Sequence, residues 1–127
     1  MAVKSYRELI AWQLADLFKK AIFELLAGSA PARADLRFAS QLREAGRGPA
    51  KHITEGFVRF SPRTFEVYLG YALSSIAEAE EHLQDGVELF YFTSTNCQSA
   101  FQLARRCTSA TSRLKKSQRR FQPRRRD

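Results

Sequence analysis

Ser61-Pro62-Arg63-Thr64-Phe65-Glu66-Val67-Tyr68-Leu69-Gly70-Tyr71-Ala72-Leu73-Ser74-Ser75-Ile76-Ala77-Glu78-Ala79-Glu80-Glu81-His82-Leu83 is the stretch on which the fold class turns. Phe65, Leu69, Ala72, Ile76, Ala79 and Leu83 recur in alternating steps of four and three, the period of one face of an α-helix. Ser61 offers an N-cap, and Pro62 occupies a first-turn position whose amide has no helical partner to lose. The spacing predicts a helix that breaks at Asp85-Gly86 or frays into Val87-Glu88-Leu89-Phe90.

Working outward, a loop through Tyr91-Phe92-Thr93 leads to a second periodic stretch, in which Ala100, Leu103, Cys107, Ala110 and Leu114 share one face. That stripe is mostly small, and a buried Ala contributes well under half of the ~1.5–3 kcal/mol of a buried Leu or Phe, which makes this helix a weak partner. Upstream, residues 33–57 keep Ala39, Leu42, Gly46, Pro49 and Ile53 in register. Gly46 and Gly48-Pro49 interrupt the middle, and Pro49 removes an amide, so one helix kinked near Pro49 is expected. The first segment opens on Ser5-Tyr6-Arg7-Glu8, a capping-box spacing. Its stripe is Ile10, Leu14, Leu17, Ala21 and Leu25, widened by Phe18, Ile22 and Leu26, and Gly28 and Pro31 end it. No segment shows strand alternation. Four amphipathic helices with short connections predict an all-α, up-down-up-down four-helix bundle. The bundle is expected over 1–118, followed by a disordered basic tail over 119–127.

The 127 residues suffice for one core, with 44% of them hydrophobic. No apolar run approaches the roughly 18–20 residues of a membrane span, and Met1-Ala2-Val3-Lys4-Ser5-Tyr6 lacks a signal-peptide core, so a cytoplasmic location is expected. Cys97 and Cys107 lie about 15 Å apart along one helix, too far for a disulfide; they read as small buried hydrophobes. Phe60, Tyr68, Tyr71, Phe90, Tyr91 and Phe92 are more aromatic surface than one small bundle easily hides, which points to self-association.

Catalytic and metal chemistry find no foothold. A carboxylate-bridged metal site in a bundle needs Glu-x-x-His on two helices, but Ala79 stands three residues before His82 and Pro49 three before His52. Glu78 and His82 read as a solvated i, i+4 pair, and Glu78, Glu80 and Glu81 as a solvated face. Gly46-Arg47-Gly48-Pro49 is not a phosphate-binding loop. Neither an enzyme nor a cofactor is expected.

Charge is distributed unevenly. Residues 1–104 hold 11 basic and 12 acidic side chains, whereas 105–127 hold 10 basic and one acidic. Arg105, Arg106, Arg113, Lys115, Lys116, Arg119 and Arg120 run to the end of the last helix, and Arg124, Arg125 and Arg126 follow Pro123. A helix C-terminus favours cations only in its last turn, so these ten mutually repelling charges point to an external polyanion. Phosphate backbone, RNA or DNA, fits best, because Arg engages it in bidentate fashion. A solubilising extension is the plainer alternative. Membrane binding is disfavoured, since beyond Leu114 only Phe121 offers a large apolar side chain.

Ser5-Tyr6-Arg7-Glu8-Leu9-Ile10-Ala11-Trp12-Gln13, Gln41-Leu42-Arg43, Ile53-Thr54-Glu55-Gly56-Phe57-Val58-Arg59 and Tyr68-Leu69-Gly70-Tyr71-Ala72-Leu73-Ser74-Ser75, in that order, resemble the bacterial four-helix bundle proteins called 23S rRNA-intervening sequence proteins. The chain is similar too to the accessory variability determinant of diversity-generating retroelements. The resemblance covers about residues 4–118. It implies a bundle that assembles into a ring-like homo-oligomer, typically a homopentamer, that associates with nucleic acid or a reverse transcriptase in the retroelement branch and has no established enzymatic activity. It also implies a left-handed turn at Gly56, a close helix approach at Gly70 and a contact plugged by Trp12. His52 and Thr54 depart from the family's usual residues, and Gly46-Arg47-Gly48-Pro49 replaces a more apolar run. The resulting expectation is a homo-oligomeric adaptor that binds nucleic acid through its basic last helix and tail; the alternative is a protein-interaction scaffold with a solubilising tail.

Overall fold

The fold is taken from a computed structural model, which describes residues 3–123. Its helices are α1 (Ile10–Ala27), the short α2 (Ala30–Ala34), α3 (Leu36–Phe57), α4 (Pro62–Glu88) and α5 (Ser94–Ser117), with single 3₁₀ turns at Tyr6–Glu8 and Gln118–Phe121. Among the described residues no strand forms. The four long helices make a helical bundle in which α1 packs on α3 and α5, and α4 also packs on α3 and α5.

α4 behaves as its stripe requires. Phe65, Leu69, Ala72, Ile76, Ala79 and Leu83 are all buried, and the Ser61 hydroxyl accepts from the Thr64 amide at the helix start. The helix does not break at Gly86. It runs on to Glu88, and Gly86 is buried where a Cβ would stand 2.5 Å from the Phe92 ring. The absent side chain lets the α4–α5 loop fold Phe92 back into the core beside Phe38.

α3 lies against α4 in the opposite direction: Gly56 meets Phe65 and Tyr68, His52 meets Tyr71, and Gly48 meets Ser75. The helix is continuous across the buried Pro49. A Cβ on Gly48 would fall 2.6 Å from Ser75 Oγ, and one on Gly56 2.6 Å from Tyr68 Cβ, so these glycines serve close approach to α4. Gly56 therefore does not supply a left-handed turn; no glycine among the described residues has positive φ. Phe60 takes that conformation instead, at φ 55°. At Gly70 a Cβ would find only ordinary contact, 3.5 Å from Lys115 Cε.

The first segment differs from its expected register. Ser5 and Glu8 form the capping box, but around the 3₁₀ turn, and α1 starts at Ile10 without a side-chain cap. Its buried face is Ala11, Leu14, Ala15, Phe18, Ile22 and Leu26, while Ile10 and Leu17 are 66% and 49% exposed. The small Ala11 and Ala15 turn the face toward α5, where Cys107 Sγ lies 3.7 Å from the Ala11 carbonyl oxygen. α5 answers with Cys97, Ala100, Ala104, Cys107, Ala110 and Thr111, leaving Leu103 and Leu114 half-buried at its edges. Its side chains are small, yet it packs on both α1 and α4.

The stretch upstream of α3 is two helices rather than one. Ser29 caps α2, and Pro31 lies in its first turn instead of ending a helix. Asp35 caps α3, accepting from the Phe38 amide at 3.1 Å and from the Tyr91 hydroxyl at 2.7 Å. Both bonds hold the Asp35 carboxyl below its usual range, that from Tyr91 most.

Leu69→Ala and Ile76→Ala remove fully buried side chains, and each is expected to lower unfolding free energy by about 2–5 kcal/mol in urea titration. A loss below about half a kcal/mol in both would contradict the placement of this stripe in the core.

Candidate nucleic-acid interface

The opposed directions of the helices decide where charge gathers. α5 ends beside the beginning of α4, as the contact of Lys115 with Gly70 records. Beyond Ser117 the chain turns against the same end of α4, so residues 118–122 extend the packed structure instead of leaving it at 119. Gln122 Nε2 donates to Glu66 Oε2 at 2.7 Å, and Arg119 Nε lies 3.5 Å from Glu66 Oε1. The Gln122 hydrogen bond, ahead of the charges of Arg119 and Lys115 and against desolvation, keeps the Glu66 carboxyl below its usual range.

Arg105, Arg106, Arg113 and Lys116 are exposed on the side of α5 turned away from Cys97, Ala100 and Ala104. At 3.6 residues per turn they share an arc of about 100°. Lys115 sits on the flank toward α4 and is half-buried. Arg119 and Arg120 are exposed on the 3₁₀ turn. Arg124, Arg125 and Arg126 lie outside the described residues.

Two further cations stand at this end, Arg59 in the turn before α4 and Arg63 in its first turn. Arg63 lines a groove of about 410 Å³ with Glu66, Val67, Gly70, Lys115 and Gln122. Arg59 places its guanidinium 4.9 Å from the centre of the Tyr68 ring. Sequence periodicity does not single out Arg59 and Arg63, because each is one cation near a cap; only the pairing of helix ends sets them beside the α5 run. The far end of α4 has the opposite character. Residues 76–88 carry five carboxylates and no Lys or Arg, against seven basic and no acidic side chains over 105–120. Charge is thus segregated between these two segments of α4 and α5, although Arg37 stands beside Asp85 and Glu88 and Arg105 beside Gln84.

Cys97 and Cys107 are fully buried, and burial pushes the Cys107 thiol up to about 11, against the thiolate that nucleophilic attack requires. Glu78 and His82 pair at 4.0 Å with Glu78 largely exposed, a solvated helix pair. Among the described residues no three His, Cys, Asp or Glu side chains come together as a metal-ligand set, and no helix is long and apolar enough to cross a membrane.

No curated protein matches the chain. The family model of the 23S rRNA-intervening sequence protein matches residues 7–113, most of the sequence, and the chain belongs to that family.

Proposed function

We propose that the protein is a non-enzymatic, cytoplasmic adaptor, an up-down-up-down bundle that assembles into a ring-like homo-oligomer and holds nucleic acid at its basic end. Structured RNA, or a nucleic acid–reverse transcriptase complex, is the proposed cargo. One observation carries the reading: Arg59 just before α4, Arg63 in its first turn and the cations of residues 113–120 converge on one end of the bundle, away from the carboxylates of residues 76–88. Phosphate is the polyanion that such an arginine-rich surface engages most favourably. The family's name, which refers to 23S rRNA, supports RNA over DNA.

Self-association draws support from apolar surface that the monomer leaves uncovered. Ile10 and Leu17 project from α1, and Phe60 and Phe90 are 87% and 92% exposed at the two ends of α4. In a ring, each basic end needs only modest affinity, because a polyanion that reaches several subunits binds by avidity.

Light scattering at micromolar concentration should give a mass several times 14.5 kDa; a monomer at every concentration would remove the ring. Nucleic-acid affinity should fall steeply with salt, by a slope of about −0.7 per phosphate contact on a single strand and −0.9 on duplex DNA. Arg113→Gln, Lys116→Gln and Arg120→Gln together alter exposed positions only. The triple variant should keep the oligomer and flatten that slope by about two units. An unchanged slope and affinity would leave the tail a solubilising one and favour the protein-interaction scaffold.

A further inference from the structure

The seam between α3 and α4 carries aromatic side chains that the core does not use. Tyr71 is 50% exposed although it sits between the buried stripe residues Leu69 and Ala72. It is braced on two sides: Tyr68 contacts it at 5.3 Å between ring centres, with planes at 68°, and the His52 ring at 5.8 Å and 65°. Edge-to-face contacts of this kind fix a ring's orientation. Arg59 then lies over Tyr68. His52 Nδ1 is buried without a hydrogen-bond partner, and the residue lines a groove of about 400 Å³ beside Tyr71, so the seam contains a polar atom that the chain itself does not satisfy.

We propose that Tyr71, braced by Tyr68 and His52, is a stacking platform for the unpaired bases of single-stranded RNA. The inference rests on the nucleic-acid reading above and adds what that reading lacks, a site for bases rather than phosphates. Every base has a π-face, so a held aromatic ring beside cations binds single strands with little regard to sequence. Arginine resting on an aromatic ring adds cation–π attraction and a phosphate contact at the platform's edge.

Charge gives the strand its direction. Toward His82 the α3–α4 groove has a mixed lining, in which Glu44, paired with Arg47, and Glu78 stand with Lys51, and it offers phosphate no net attraction. Toward the start of α4, Tyr71 shares a helix face with Val67 and Arg63 at i, i+4 spacing. Arg63 in turn borders the groove of Lys115 and Gln122, whose carboxylate Glu66 is already engaged by Arg119 and Gln122. Gly70 keeps the floor of that groove low. A single strand laid from Tyr71 across Val67 and Arg63 therefore reaches the basic end of α5 without meeting a free carboxylate among these lining residues.

The test compares wild type, Tyr71→Leu and Tyr71→Phe for binding oligouridylate and a duplex RNA of equal length, at one low salt concentration and across a salt series. Tyr71→Leu should weaken oligouridylate binding about tenfold or more and leave duplex affinity, salt slope and oligomer mass unchanged. Tyr71→Phe, which keeps the ring, should restore binding. Equal oligouridylate affinity in wild type and Tyr71→Leu, with both binding duplex, overturns the platform and leaves the basic-end reading standing. A changed oligomer mass in Tyr71→Leu overturns it in favour of a contact between copies. Failure of the wild type to bind either RNA at low salt overturns both readings together.

Discussion

Burial of the α4 stripe between α3 and α5 is the constraint from which the remaining structure follows. Leu69, Ala72, Ile76, Ala79 and Leu83 are inaccessible to solvent, and each needs facing atoms along the full length of the helix to stay so. α3 provides them on one side only because Gly48 and Gly56 let its backbone close onto Ser75 and Tyr68. α5 provides them on the other with a face of Ala and Cys. Large side chains on α4 are matched by small ones on its neighbours, and that complementarity sets the register of both pairs.

Register, more than composition, creates the candidate interface. α4 begins where α3 and α5 end, so Arg63 stands beside the cations of residues 113–120, with Arg59, Tyr68 and Tyr71 at the same end on the α3 side. The same geometry carries the five carboxylates of residues 76–88 to the other end. Lys115 and Lys116, in the last turn of α5, interact favourably with that helix terminus, so part of the basic charge also stabilises the fold.

Much of the fold was legible in the residues. The α4 stripe, its Ser61-Pro62 cap and the buried cysteines could be read directly, because large apolar residues at helical spacing have few other uses. The face of α1 was not, since Ile10 and Leu17 look like core residues while Ala11 and Ala15 look like spacers; only the approach of α5 reveals that the small residues face inward. Gly48, Gly56 and Gly86 read as a kink, a turn and a helix stop. They prove to be contact points, because a glycine's signature is the same for a bend as for a missing side chain. Of the interface, the α5 cations were legible as a run. The contribution of α4 was not, since it depends on which helix ends meet.

The central claim is that one end of the bundle, joining the start of α4 to the end of α5, carries the nucleic-acid interface. Ultraviolet cross-linking of the full chain to a single-stranded RNA, followed by peptide mapping, tests it most directly. The account predicts adducts within residues 59–71 and 113–123 and none within 76–88. Adducts concentrated in the acidic segment 76–88, or spread evenly over the surface, would contradict it.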